Sequence, residues 1–390
     1  MRDFDIVIAG AGPAGLSLAA ALATAPVRIA LVDRASRAGL AAPSFDGREI
    51  ALTHASIRRL RKLGAWDRMS PAEVAPLVSA RVLNGSSSFA LTFANSKRGE
   101  ALGSLAPNAA IRRALYETVT EQRNCTLIDE RAVTSITTDP DAAEVTLFDG
   151  EALSARVAIA ADTRFSALRQ AQGISADMHD FGRTMLVCRV SHERPHGGVA
   201  TEWFDHGQTV AMLPLNGAMS SFVLTLPSME IAPLLALSPA AFAAEAERRT
   251  RARWGAMQLE STRHAYPLVA VYANRFARQR FALVGDAAVG MHPVTAHGYN
   301  FGLAGAFTLA RELTASARTS ADAGREAGLR RYERTHRLAT RPLFEATNAI
   351  ARLYSDERAL PRLARAAGLR LMTAAAPVRR AIEASLSQAR

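Results

Sequence analysis

The sequence predicts an α/β protein in which an open parallel sheet is interrupted by a β-rich insert and followed by helices. Three observations predict it. The chain opens on a strand, a glycine run, a helix and a second strand, all within residues 4–33. Further apolar strand patterns at 156–161 and 281–284 run into the acids Asp162 and Asp286. Between them the pattern changes to short β-rich stretches with turn signals. Strands alternating with helices, then a block of strands, point to a parallel sheet carrying a second layer.

The first strand covers 4–9, a helix 13–23 and a second strand 27–33, which makes a βαβ unit. In "GAGPAG", Gly10 allows the tight turn, Gly12 lets a pyrophosphate approach the backbone, and Gly15 lets the helix pack close to the strand. Pro13 and Ala14 start the helix, whose N-terminus offers unpaired N–H groups and a partial positive charge. Asp33, followed by Arg34, closes the next strand at the spacing needed to accept hydrogen bonds from ribose hydroxyls. Residues 6–27 carry no charge and are long enough to imitate a membrane span. Gly10, Gly12, Pro13 and Gly15 interrupt them, however, and Asp3 and Asp5 precede them. A cytoplasmic chain without a transmembrane segment is therefore expected.

The middle of the chain predicts strands at 183–190, 199–204 and 209–213, with Asn216-Gly217 as a hairpin turn before the next apolar run. Helix is expected over 239–257 and from 304 to the end. In open α/β sheets ligands bind outside the carboxyl ends of strands, which makes Asp162 and Asp286 candidates by position.

Composition narrows the function. A chain of 390 residues is long for one core, and two or three domains are expected. With 49% apolar and 21% charged residues it is an ordinary globular protein. The net charge of +11 admits anionic partners, but the basic residues are scattered and aromatics make up 6%, which argues against nucleic acid. Cys125 and Cys188 lie far apart without metal-ligand spacing, as for reduced, buried thiols in a cytosol.

The glycine run calls for a dinucleotide, and NAD and FAD both use it. Two features favour FAD. There is one such fingerprint, and "GDAAVGMHPVTAHGYNFGL", residues 285–303, can hold the flavin half that NAD lacks. Asp286 can bind ribityl hydroxyls, and a helix from about Tyr299 presents its positive N-terminal dipole to the charge on a reduced flavin. The fold expected is thus a Rossmann-like FAD-binding domain with an inserted β-rich substrate domain and C-terminal helices. Residues 1–75, 99–173 and 271–345 would form the first, 76–98 and 174–270 the second, and 346–390 the helices.

With these residues in view, the chain resembles the class A flavoprotein monooxygenases of the para-hydroxybenzoate hydroxylase fold, and most of all the ubiquinone-biosynthesis hydroxylases. The resemblance runs in order through "GAGPAG" (10–15), "FDGREIALTHAS" (45–56), "PNAAIRRAL" (107–115), "AADTRFSALR" (160–169), "YPL" (266–268) and the second glycine run. It implies that Asp33 binds the adenosine ribose, Arg48 and Arg112 the ribityl–pyrophosphate region, and Val133 the adenine side through its backbone. It implies Asp286 on the ribityl chain, Pro293 beside the flavin C4a, and Gly298 and Asn300 as backbone donors to the ring. The chain departs from the family pattern at Thr163, where Gly is usual, and at Val289, where His is usual. Ala296-His297-Gly298 replaces Gly-Gln-Gly, and no acid stands four residues beyond Gly302.

The activity implied is that NAD(P)H reduces FAD, O2 adds at C4a, and the hydroperoxide hydroxylates the ring of a prenylated phenol. His297 and His292 are the candidates for proton handling, because histidine titrates near neutrality. No second fingerprint exists for NAD(P)H, which would bind transiently. A prenyl tail would need a long apolar cleft between the insert and the FAD-binding domain. Two alternatives stay open: an FAD-dependent reductase or dehydrogenase of a prenyl lipid, and a quinone-binding flavoprotein scaffold without turnover. The last stretch interleaves Leu360, Leu363, Leu369 and Leu371 with Arg362, Arg365 and Arg370. Helices packed on the FAD-binding domain are the commoner outcome of such a pattern, and peripheral contact with the inner face of a membrane, within a ubiquinone-biosynthesis complex, is the rival one.

Overall fold

The computed structural model describes residues 2–87, 90–94, 100–205, 207–292 and 298–355. The elements that build the site are, in chain order, β1 (Arg2–Ala9), α1 (Pro13–Ala21), β2 (Ile29–Val32), β3 (Glu49–Thr53), α2 (Asn108–Thr120), β4 (Ala152–Ala160), β5 (Ala176–His192), β6 (Met219–Pro227), β7 (His264–Ala273), β8 (Phe281–Leu283), β9 (Val289–Gly290), α3 (Gly298–Ser320) and α4 (Glu326–Ser355).

The α/β architecture is the one the sequence predicts. In the first sheet β8, β4, β1, β2 and the strand Cys125–Ile128 are neighbours in that order, all parallel. Central strands covered on both faces need apolar residues at every position, and Ile6, Val7 and Ile8 of β1 are fully buried. Helix α1 is apolar all round, with Gly15 to Ala20 buried, as a helix enclosed by its neighbours must be. The strands Val133–Thr138 and Ala143–Leu147 extend the sheet antiparallel from β4.

The second sheet is largely antiparallel. Its order runs β9, β7, β5, β6, Gln208–Pro214, Val199–Asp205, Ser79–Asn84, Ala90–Ala94. Alternation gives it two faces. Leu186, Cys188 and Val190 of β5 join Phe222 and Leu224 of β6 in a core with Phe242 and Leu234, from the helices that cover that side. Val187 and Arg189, with Ser221 and Val223 across from them, look the other way, toward β3. The hairpin turn lies where Asn216-Gly217 predicts, with Gly217 at φ +71°.

Several expectations change. The helix expected over 239–257 stops at Arg249, because Arg251 and Ala252 take left-handed φ of 52° and 49°. Met257–Leu259 then pairs with β5 as a strand. Strand β4 starts at Ala152, and β5 runs seventeen residues with a register shift between Asp180 and Thr184. Helix continues from Gly298 through Ser355 with one break, while the basic stretch over 360–380 lies outside the described residues.

Candidate active site

The first glycine run forms an open cradle. Gly10 sits at φ +112°, and a β-carbon there would lie 2.7 Å from the Ala161 carbonyl oxygen. A β-carbon on Gly15 would lie 1.9 Å from the Gly10 oxygen, so helix and loop meet backbone to backbone. Gly12 differs: nothing lies within 4 Å of its missing β-carbon. It is also the N-cap of α1, without a side-chain cap, and Pro13 follows. The helix therefore presents its unpaired N–H groups to open space, which suits an anion.

Asp33 closes one end of this cradle. Its carboxylate accepts from the Ala11 N–H at 2.6 Å and the Ala35 N–H at 2.8 Å. Its own carbonyl accepts from the Arg131 N–H at 3.0 Å, which brings the segment entering Val133 alongside. Val133 is half-buried at the start of its strand. Arg34 is exposed and Arg112 half-buried on α2; neither forms a hydrogen bond or ion pair among the described residues.

The second glycine run packs directly on the first. Gly285 takes φ +66°, and its missing β-carbon would stand 2.5 Å from the Ala14 β-carbon. Asp286 follows and pairs with Arg164 at 2.9 Å, while Arg164 also donates to the Val269 carbonyl at 2.9 Å. Beneath it, Arg169 is fully buried and donates to the carbonyls of Arg164 and Ala287. Thr163 reaches no left-handed φ, and its hydroxyl accepts from the Phe165 N–H at 3.2 Å, so the turn closes without glycine.

Arg48 belongs to a polar cluster. It pairs with Asp46 at 2.6 Å and lies over the Tyr266 ring at 5.4 Å, and the Tyr266 hydroxyl donates to the Asp46 carbonyl. Asn108 donates to the same Asp46 carboxylate at 2.7 Å. Burial works against the Arg48 charge, but the bond to Asp46 and the charges of Asp46, Tyr266 and Asp286 hold its pKa above the usual value.

At the start of α3, no described residue lies within 4 Å of where a β-carbon on Gly298 would be. Asn300 is fully buried; its amide donates to the Ala51 carbonyl at 2.8 Å and accepts from the Thr53 N–H at 3.2 Å, which ties α3 to β3. The Tyr299 hydroxyl meets Ser17 Oγ at 3.2 Å and so joins α3 to α1. His292 packs edge-on against Phe181 at 4.6 Å. Burial, with help from Arg164 and His179, pushes its pKa down to about 4, so the ring is neutral at neutral pH. Pro293 and His297 lie outside the described residues. Gly305, near the position of the missing family acid, makes room for His336 of α4, whose ring would be 2.7 Å from a β-carbon there.

The uncapped helix N-terminus, the open space over Gly12 and the acids Asp33 and Asp286 at strand ends form a set that fits FAD. A family model described as FAD binding domain matches residues 3–347. A ubiquinone hydroxylase of Neisseria meningitidis, UbiM, is 41% identical over 98% of this chain and 84% of its own length. Another, UbiL of Rhodospirillum rubrum, is 35% identical over 96% of this chain and 87% of its own. Among solved structures, PqsL of Pseudomonas aeruginosa, a probable FAD-dependent monooxygenase, superposes with a TM-score of 0.77 at 20% identity, over 94% of this chain and 99% of that one. The chain belongs to the FAD-dependent monooxygenases, in the ubiquinone hydroxylase family.

Proposed function

We propose that this enzyme hydroxylates the ring of a prenylated phenol, with O2 as the oxygen donor and NAD(P)H as a transient co-substrate. The observation that carries the reading is the contact of Ala14 with Gly285, which joins the pyrophosphate cradle to Asp286 and the start of α3. Bound FAD supplies the redox chemistry that activates oxygen. The protein holds it: N–H groups of α1 on the pyrophosphate, Asp33 on the ribose, Asp286 on the ribityl hydroxyls, and backbone N–H groups near Gly298 and Asn300 on the ring. Arg48, braced by Asp46, contributes positive charge between them, and Arg112, without an ion pair among the described residues, adds a cation for the phosphates.

The second sheet supplies the substrate side. Met185, Val187, Ala211 and Val223 are on its face toward β3 and form an apolar floor for an isoprenoid tail. Such a tail is collected from a bilayer, and the net charge of +11 supports peripheral contact with anionic headgroups. Among the described residues no helix is long and apolar enough to cross a membrane.

The test is mass analysis of the product formed from a prenylated phenol and NADPH under labelled O2. One labelled oxygen atom in the ring is expected. NADPH consumption with a reduced, unlabelled product would replace the hydroxylase reading by a prenyl reductase, and FAD that NADPH and substrate together leave oxidised would favour a scaffold.

A further inference from the structure

One rung of the apolar floor ends in a carboxyl group. Read across the second sheet, Val187 of β5 pairs with Val223 of β6, Val223 with Ala211, and Ala211 with Glu202. Glu202 pairs in turn with Val82 of the strand Ser79–Asn84. Residues directly opposite each other share a face, so Glu202 looks toward β3 with the rest of the floor. Beyond Val82 the row closes on Leu91, in a small apolar cluster with Phe93, Leu102 and Leu77. Apolar side chains therefore flank the acid on both sides.

Glu202 is neither core nor surface. Its main chain is paired with a strand on each side, yet the residue stays partly exposed, so the opening belongs to its side chain. Neither carboxyl oxygen makes a hydrogen bond or ion pair among the described residues, and neither is sealed from solvent. Arg183 and Arg189, on the same face of β5, are engaged elsewhere: the first donates to the Gly207 carbonyl at 2.9 Å, the second to Glu49 of β3 at 2.8 Å. Burial alone pushes the Glu202 carboxyl up to about 8, so at neutral pH it is mostly protonated. The floor thus carries a neutral acid with an O–H to give and a carbonyl to receive.

Such a group is costly in apolar surroundings until a partner completes it. An isoprenoid tail has no polar atom to offer. In a prenylated phenol the partner must therefore be on the ring.

We propose that Glu202 is the specificity-determining residue that sets how the ring lies: its carboxyl group hydrogen-bonds the ring's oxygen substituent, and the opposite edge of the ring is turned along the rung toward Val187. The proposal rests on the hydroxylase reading. Three strand spacings, about 14 Å, separate Glu202 from Val187, and the ring lies between them over Ala211 and Val223. Val187 is where floor and first half meet, since a β-carbon on Gly47 would stand 2.6 Å from it, one residue before Arg48. The edge directed there is the one that receives oxygen. No proton changes hands: the acid stays neutral and the ring hydroxyl keeps its own, so the contact selects a ring carbon without altering the charge of the ring.

The experiment uses the full-length FAD-loaded enzyme, a short-chain prenylated phenol, and the analogue with methyl in place of the ring hydroxyl. Binding of each is read without NADPH from the change in flavin absorbance. Wild type should bind the phenol about tenfold more tightly than the analogue. Glu202→Leu should bring the phenol down to the affinity of the analogue and leave the analogue unchanged. Glu202→Gln, which keeps a donor and an acceptor, should retain most of the preference. With NADPH and O2, wild type should give one hydroxylated isomer and Glu202→Leu a mixture. A Glu202→Leu enzyme that weakens both ligands equally, or keeps the preference and the single isomer, overturns the proposal. Should that variant not load FAD, equal affinity of wild type for the two ligands overturns it as well. In each case labelled oxygen in the wild-type product would leave the hydroxylase reading standing. A Glu202-dependent preference with no oxygen entering the product would overturn the hydroxylase reading, and with it the orienting role.

Discussion

Ala14 and Gly285, from opposite ends of the chain, abut so closely that a β-carbon on Gly285 would stand 2.5 Å from that of Ala14. Helix α1 and the turn after β8 therefore share one small space, and the cradle depends on both glycine runs.

Gly285→Ala should destabilise the fold by about 2–4 kcal/mol, because the new methyl meets Ala14 and the residue must hold φ +66°. Gly12→Ala should behave in the opposite way. Its β-carbon meets nothing among the described residues, so thermal stability without flavin should hardly move, while FAD affinity falls about 100-fold. Thermal melts with and without FAD, beside flavin titration, check the pair; a Gly12→Ala protein that binds FAD as wild type would remove the cradle.

The two acids should separate as well. Asp33 satisfies the Ala11 and Ala35 N–H groups, so Asp33→Ala should cost about 1–3 kcal/mol of stability in addition to its effect on FAD. Asp286 bonds to Arg164 at a partly exposed position, and Asp286→Ala should reduce flavin occupancy with a smaller change in melting temperature. Equal melting shifts in the two variants would contradict this assignment.

His292 should leave the neutral pH profile alone. Its pKa of about 4 keeps it uncharged through the working range, so His292→Gln should alter rate without moving any limb above about pH 5. A limb near pH 6.5 that disappears in this variant would restore its role in proton handling.

Glu202, on the strand Val199–Asp205 of the second sheet, gives a stability test. Burial pushes its pKa from 4.5 up to about 8. Between those values the folded chain holds a proton that the unfolded chain has lost, so stability falls as pH rises through that window. Glu202→Gln should therefore match wild type near pH 4.5 and exceed it by roughly 1–3 kcal/mol at pH 8. Denaturant midpoints at the two pH values decide it, and a gain that is the same at both would rule out titration of Glu202 as the cause.

Much of the backbone geometry of the two glycine runs was legible because the demands are local. Gly10, Gly15 and Gly285 stand where only a missing β-carbon fits, Asp33 follows an apolar strand directly, and Asp286 comes just past Gly285 after another. The polar cluster was not legible in the same way. Asp46, Asn108 and Tyr266 meet through the pairing of distant strands, and nothing near Glu49 in sequence announces Arg189. "REIALT" reads as an ordinary half-buried strand. The overrun helix after Pro239 has a related cause. Its stop uses left-handed Arg251 and Ala252 ahead of Gly255, so no glycine or proline marks Arg249 as the last turn.

The short strand β9 couples what the chain keeps separate. Val289 and Gly290, just past Asp286, bond through their main chain to Tyr272 and Val271 of the second sheet. Peptide geometry, not side-chain fit, then sets the spacing between the turn that carries Asp286 and the second sheet. On the proposed function, residues of the apolar floor could be exchanged to admit a longer or shorter tail without moving that turn, which would place chain-length preference and regiochemistry under separate control.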